Sequence, residues 1–184
     1  MAPVPALDRV QDVKLSEAET LSPVLPNRLE EATRLLLTKA CERDLVLATA
    51  ESCTGGLLAS LLTDVPGVAH AFDRGFVTYS TEAKTDLLGI PRELLDHNDA
   101  VSETVARAMA EGALARSKAE IAIGVTGFAG PAGEGCEEGL VHFALARRGQ
   151  TTVHREEHFG PIGRGAIRVR SLKAMLDMLE QCLK

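Results

Sequence analysis

A serine and two glycines stand together where a buried strand is predicted to turn into a helix. Residues Leu45–Ala48 are apolar and rich in strand formers, and the leucines that follow the glycines are spaced to line one helix face. Ser52 and Gly55–Gly56 are therefore expected at a helix N-terminus, where unpaired N–H groups favour an anion or a developing oxyanion. Taken alone, this short motif is more often only a cap, formed by Ser52 or Thr54, with a tight glycine turn.

Two further predicted strands end in segments that could face Ser52. Arg74–Ser80 has a strand pattern and leads into a short helical segment that carries Lys84. Ala119–Val125 is apolar and leads into the loop Thr126–Gly135, which is rich in Gly and Pro. Ligands of open α/β sheets bind outside the carboxyl ends of the strands. If the three strands are parallel neighbours, their loops converge on one pocket and Ser52 lies opposite Lys84.

A serine hydroxyl becomes a useful nucleophile only when a base accepts its proton. None of the five histidines lies in a motif of this kind, and we interpret all five as surface or structural residues; the set is His70, His97, His142, His154 and His158. A neutral lysine can replace histidine if burial or a neighbouring cation lowers its pKa from about 10.4. Considered alone, Lys84 is most simply an exposed lysine in the first turn of a helix.

The composition favours one globular domain and excludes several classes of protein. Of 184 residues, 45% are hydrophobic and 25% are charged, which is ordinary for a soluble chain with a single core. The formal net charge of −6 argues against a nucleic-acid partner, although one local arginine can still hold a small anion. The cysteines lack CxxC and zinc spacing, which predicts reduced thiols. No apolar run resembles a membrane span or a signal peptide, so we expect a cytoplasmic protein without a membrane partner and leave a homo-oligomer open.

The order of predicted elements indicates an α/β fold. Residues 1–27 contain four of the eight prolines and are predicted to form an extended or loosely packed arm, which leaves residues 28–184 as a single domain. Helices that alternate with strands and end in a hairpin predict a three-layer α/β/α sandwich with a mixed sheet. The predicted helices are Arg28–Arg43, Leu57–Asp64, Thr81–Leu88, Pro91–Asp96, Ser102–Ser117 and Arg164–Cys182. The predicted hairpin strands are Leu140–Arg147 and Thr151–Phe159.

Three ordered motifs together resemble the C-terminal domain family of the competence/damage-inducible proteins CinA. The motifs are residues 50–56, 75–84 and 124–131, the segment Ala100–Ser102 also fits, and the similarity covers about Arg28–Leu183. The family is known as nicotinamide-nucleotide amidohydrolases. The resemblance therefore implies a stand-alone domain that converts nicotinamide mononucleotide to nicotinic acid mononucleotide and ammonia, a step of pyridine nucleotide salvage. It implies neither a metal nor an organic cofactor.

The resemblance also implies roles for individual residues. Ser52 would be the nucleophile and Lys84 its base, while Tyr79 would orient Lys84 or the amide. Backbone N–H groups after Ser52 would stabilise the oxyanion, and an arginine at the start of the last helix would bind the substrate phosphate together with N–H groups of the glycine-rich loop. The substrate-binding positions implied in this way are Thr54, Gly55, Gly56, Thr126, Gly127, Gly130 and Arg164.

The chain departs from the family pattern in two recognition segments. Before the last helix the family commonly has Gly-Asp-Arg, but Phe159–Arg164 has no aspartate. In the glycine-rich loop Ala132 replaces an aspartate, and Glu137–Glu138 continues directly into Gly139. These changes motivate an alternative, a non-catalytic nucleotide-binding or regulatory protein that keeps the pocket. The intact serine, tyrosine and lysine favour the enzyme.

Overall fold

The computed structural model describes residues 27–184. The predicted N-terminal arm therefore lies outside the described residues, except for Asn27, which opens the first helix. The described helices are α1 (Asn27–Cys41), α2 (Leu57–Thr63), α3 (Thr81–Leu88), α4 (Arg92–His97), α5 (Glu103–Ala115) and α6 (Arg164–Cys182). The strands are β1 (Leu47–Glu51), β2 (Phe72–Val77), β3 (Ile121–Gly127), β4 (Leu140–Arg147) and β5 (Val153–His158).

The five strands form one mixed sheet in the order β2-β1-β3-β4-β5. Strand β1 pairs in parallel with β2 on one side and with β3 on the other, whereas β3, β4 and β5 pair in antiparallel fashion. The carboxyl ends of β1, β2 and β3 consequently lie at the same edge of the sheet. This arrangement confirms the mixed sheet and meets the condition under which Ser52 and Lys84 were expected to converge.

Helices cover both faces of the sheet, which confirms the α/β/α sandwich. Helices α1, α2 and α6 pack on a face of large side chains that includes Leu47, Ile123 and Phe143. Helices α3, α4 and α5 cover the opposite face, where the sheet presents mainly alanine and glycine. None of the helices within residues 27–184 is long and apolar enough to cross a lipid bilayer.

The face of small side chains allows α5 to approach the sheet closely. Gly124 lies in the middle of β3, and a Cβ atom there would come within 2.7 Å of the Ala110 amide nitrogen and 2.8 Å of the Ala106 carbonyl oxygen. Both atoms belong to the backbone of α5, so neither can rotate away. The absence of a side chain at Gly124 therefore sets the distance between this helix and the sheet.

Element boundaries shift by a few residues from the sequence-based expectations. Strand β1 extends to Glu51, and β3 extends to Gly127, so Thr126 and Gly127 belong to a strand and the loop begins at Phe128. The sequence pattern assigned Gly127 to the loop, but the glycine at this position allows close packing and does not mark a turn. A Cβ atom there would lie 2.8 Å from the Leu140 carbonyl oxygen. Helix α6 and strand β4 have the predicted bounds.

Replacing Gly124 with alanine should destabilise the fold. The added methyl group must push α5 away from β3, and overpacking of this kind typically costs about 1–3 kcal/mol. Gly133→Ala is the matched control, because a Cβ atom at Gly133 meets no atom within 4 Å. Urea denaturation of both variants measures the free energy of unfolding. Equal stabilities for the two variants would contradict close helix–sheet contact at Gly124.

Candidate active site

A buried carboxylate organises the turn that follows β1. Glu51 is 1% exposed, and its side chain accepts hydrogen bonds from the Thr54 hydroxyl (2.7 Å), the Leu58 amide (3.1 Å) and the Ala59 amide (2.8 Å). The positive end of α2 is thus occupied by a carboxylate from the chain itself. The sequence-based expectation of an open helix N-terminus is wrong here, because Glu51 takes two of its first N–H groups. Neither Ser52 nor Thr54 is the cap, since the N-cap residue is Gly56.

Ser52 and Lys84 meet at the carboxyl edge of the sheet. The Lys84 Nζ atom lies 3.4 Å from the Ser52 Oγ atom, although the two residues are 32 positions apart in the chain. Both are buried, with exposed fractions of 3% for Lys84 and 8% for Ser52. The simple interpretation of Lys84 as an exposed lysine is therefore wrong.

Two backbone carbonyl groups fix the Lys84 amine. Its Nζ atom donates hydrogen bonds to the carbonyl oxygens of Thr78 (3.0 Å) and Tyr79 (3.2 Å), just beyond the end of β2. Burial lowers the pKa of Lys84 from its ordinary value. The shift is the one that a lysine base requires, since only the neutral amine can accept a proton.

Tyr79 contacts Lys84 through its backbone, and Thr126 forms a hydrogen bond within the protein. Tyr79 holds Lys84 through its carbonyl group, and its side chain is 70% exposed at the rim of the site. Thr126 is buried and donates its hydroxyl proton to the Ala100 carbonyl oxygen at 2.7 Å. Its hydroxyl thereby ties the segment before α5 to the end of β3.

The backbone amides of Thr54, Gly55 and Gly56 are the N–H groups after Ser52 that could stabilise an oxyanion, and the turn itself uses one of them. The Gly55 amide donates to the Ser52 carbonyl oxygen at 3.1 Å, which closes the turn. Within residues 27–184, the Thr54 and Gly56 amides donate no backbone hydrogen bond. Gly55 and Gly56 have φ angles of 64° and 87°, a left-handed conformation that favours glycine.

Cys53, the neighbour of Ser52, is a buried thiol. Its exposed fraction is 6%, and burial raises the pKa of Cys53 to about 12. A thiol is nucleophilic as the thiolate, so Cys53 is inert near neutral pH.

Two arginines of α6 lie beside this turn. Arg164 is exposed at the first position of the helix, and a Cβ atom on Gly130 would lie 3.6 Å from its guanidinium group. Arg168, one turn later, is half-buried and donates a hydrogen bond to the Thr54 carbonyl oxygen. The Arg168 Nε atom is buried without a hydrogen-bond partner in the described part of the chain.

Glu51 and Arg168 are the site residues that sequence reasoning missed. Glu51 belongs to the motif of residues 50–56, but its role depends on α2 packing back against β1, the strand that contains Glu51. The spacing of Arg168 four residues after Arg164 places both on one helix face, and this signal could have indicated the second arginine.

Comparisons with family models, related sequences and solved structures all identify the same family. A family model described as the CinA C-terminal domain matches residues 29–183. A CinA-like protein of Akkermansia muciniphila is 48% identical over 142 residues, which are 74% of this chain and 34% of that protein. The chain spans about a third of the length of the curated relatives it matches.

Solved structures show the same fold. The competence/damage inducible protein CihA from Agrobacterium tumefaciens superposes with a TM-score of 0.84 at 43% identity, covering 87% of this chain and 98% of that one. A competence-damaged protein (CinA) superfamily protein from Escherichia coli gives a TM-score of 0.79 at 34% identity, covering 92% and 94%.

Replacing Glu51 with glutamine should destabilise the protein and disturb the serine turn. The amide group of glutamine puts an N–H donor against a backbone N–H donor, and loss of a buried charged hydrogen-bond acceptor costs about 1.5–3 kcal/mol. Thermal denaturation followed by circular dichroism tests this expectation. Glu93→Gln, on the exposed face of α4, is the control and should melt like the wild type. A wild-type melting temperature for Glu51→Gln would show that the carboxylate does not hold the turn.

Proposed function

The chain belongs to the CinA C-terminal domain family, and we propose that it is an amidohydrolase that converts nicotinamide mononucleotide to nicotinic acid mononucleotide and ammonia. The observation that carries this proposal is the buried Lys84 amine, which two carbonyl groups hold beside the Ser52 hydroxyl. A lysine with a lowered pKa beside a serine is an arrangement suited to nucleophilic attack on an amide.

The contacts of Lys84 account for the direction of proton transfer. A neutral lysine amine has two N–H donors and one lone pair. The carbonyl oxygens of Thr78 and Tyr79 take the two donors, so the lone pair is left for the Ser52 hydroxyl proton. The 3.4 Å separation between Nζ and Oγ is loose for a hydrogen bond, and such contacts tighten when substrate binds.

The proposed reaction proceeds through an acyl-enzyme. Ser52 Oγ bonds to the carboxamide carbon while Lys84 takes the hydroxyl proton, and the negative oxygen that forms is stabilised by the Thr54 and Gly56 amides. Lys84 then returns its proton to the amide nitrogen, the C–N bond breaks and ammonia leaves. Lys84 then takes a proton from water as the water oxygen attacks the ester carbon. Lys84 returns this proton to Ser52 Oγ when the ester C–O bond breaks, which releases the carboxylic acid and restores the neutral amine.

The arginines of α6 supply the charge that a nucleotide phosphate requires. Arg164 is exposed at the rim, and Arg168 lies one turn deeper against the serine turn. Arginine binds phosphate oxygens through paired N–H groups, and the two side chains provide a local positive region on a chain of net charge −6. The exposed ring of Tyr79 offers a surface against which the nicotinamide can pack.

Ammonia release from nicotinamide mononucleotide by the purified protein tests the proposed function. Free nicotinamide should be a poor substrate, because it lacks the phosphate that the arginines hold. Calorimetric binding of the nucleotide without ammonia release would favour the non-catalytic binding protein instead. Binding and turnover are measured separately because segments 131–139 and 159–164 depart from the family pattern.

Ser52→Ala should abolish turnover, whereas Cys53→Ala should retain it. The first change removes the nucleophile, and loss of a nucleophile of this kind lowers kcat by about 10³-fold or more. The second removes a thiol that stays protonated, because its pKa is raised to about 12. Steady-state ammonia assays on both variants measure kcat. A dead Cys53→Ala enzyme beside an active Ser52→Ala enzyme would reverse the assignment.

Lys84 should impose a pH dependence on the rate. Because burial lowers the pKa of Lys84, the neutral base exists at pH values below its usual range, and kcat/KM should rise with pH until Lys84 is fully deprotonated. Lys84→Arg keeps the charge but cannot give up its proton, so it should be as inactive as Lys84→Met. Measuring kcat/KM against pH for the wild type and both variants tests whether Lys84 acts as the base. Activity in Lys84→Arg would show that the position supplies only positive charge.

A further inference from the structure

A second cluster of reactive side chains lies on the β4–β5 hairpin. His142 of β4 pairs directly across the sheet with Glu156 of β5, and His154 lies two residues before Glu156 on the same face. The imidazole rings of the two histidines are stacked, with ring centroids 5.3 Å apart. Two of the histidines that we interpreted from the sequence as surface or structural residues thus come together with a carboxylate.

The distances between the ligand atoms match a tetrahedral metal site. The His142 Nδ1 atom lies 3.1 Å from the His154 Nε2 atom and 3.4 Å from the Glu156 Oε2 atom. One ligand atom from each of the three residues can be chosen so that all lie within 4.8 Å of one another. Ligands at about 2.0–2.1 Å from a tetrahedral Zn²⁺ ion lie roughly 3.4 Å from each other. Small side-chain rotations would therefore bring all three atoms to one ion.

We propose that His142, His154 and Glu156 form a binding site for a divalent transition metal ion, with Zn²⁺ as the best match. Two imidazole nitrogens and one carboxylate oxygen are ligands that Zn²⁺ accepts, whereas Mg²⁺ and Ca²⁺ prefer oxygen ligands alone. Three protein ligands leave the fourth position to water. The Glu156 side chain is 44% exposed, which gives the ion a path from solvent, while His142 is buried at 8%.

The surrounding groups support the ligands as metal sites require. The His154 Nδ1 atom, on the far side of the ring from the cluster, lies 3.4 Å from the Glu103 carboxylate. Glu156 is held by His158, whose Nε2 atom lies 2.8 Å from Glu156 Oε1, and the His158 Nδ1 atom contacts Glu137 at 2.9 Å. Carboxylates that hold the second nitrogen of a histidine fix its tautomer and ring orientation.

The position of the cluster indicates a structural role for the ion. His142 pairs with Thr126 at the end of β3, and Glu103 is the first residue of α5. An ion at this point would join the two hairpin strands and, through Glu103, the start of α5. Since it would bind the folded chain and not the unfolded one, binding should raise the melting temperature.

Isothermal titration calorimetry with ZnCl₂ on chelator-treated protein tests the proposal. A Cys136→Ser background removes the exposed thiol that could bind zinc independently. We expect one ion per chain and a rise in melting temperature on adding zinc. His154→Gln and Glu156→Gln should each weaken binding at least tenfold, and Glu103→Gln should weaken it by about tenfold, as loss of a supporting carboxylate does.

His70→Gln is the matched control, because His70 is exposed and lies on the short helical turn before β2. It should bind zinc like the background protein. Absence of zinc binding would overturn the proposal, and the contact between His142 and His154 would then be only a hydrogen bond. Unchanged binding in His154→Gln, or an equal loss in His70→Gln, would also overturn it. The melting temperature of each metal-free variant separates misfolding from loss of a ligand, and none of these measurements depends on amidase activity.

Discussion

The Glu51 carboxylate and the Lys84 amine are buried at the carboxyl edge of the sheet, and backbone groups form hydrogen bonds with both. An isolated charge in the interior loses its solvation, so it must be neutralised or bonded to polar groups. Glu51 receives N–H groups from the start of α2, where the helix dipole also favours negative charge. Lys84 donates to two carbonyl groups beyond β2 and lies closer to its neutral form because burial lowers its pKa. The position of the Ser52 turn and the basicity of Lys84 both follow from this requirement.

The two faces of the sheet that ends at this edge are packed against helices in different ways. On one side, large aliphatic and aromatic residues fill the space under α1, α2 and α6. On the other side, alanines and Gly124 let α5 lie almost against the strands, with little room for movement. The hydrogen bond from the Thr126 hydroxyl to the Ala100 carbonyl oxygen also connects the segment before α5 to β3. The loops of the candidate site therefore start from a scaffold whose strand ends are fixed on both faces.

Periodicity predicted most of the fold, since helix and strand patterns depend on local burial alone. It gave the bounds of α6 and β4 and the convergence of Ser52 with Lys84, provided that the strands were parallel neighbours. It failed where a residue acts through contacts distant in the chain or through its backbone. Glu51 accepts N–H groups of the helix that follows its own strand, and Tyr79 contacts Lys84 through its carbonyl group. The proximity of His142 and His154 depends on the register of two strands, which no local pattern specifies.

The proposed chemistry and the recognition of the nucleotide rest on different kinds of contact. Backbone groups position Lys84 and supply the candidate oxyanion donors, so side-chain changes in neighbouring loops leave them in place. The proposed recognition of the nucleotide would instead depend on side chains such as Arg164, together with the largely exposed segments 131–139 and 159–164, where substitution costs little stability. The departures from the family pattern fall in these exposed segments. For this physical reason, they are expected to alter which nucleotide binds and how tightly, while the serine and lysine keep the geometry for attack on an amide.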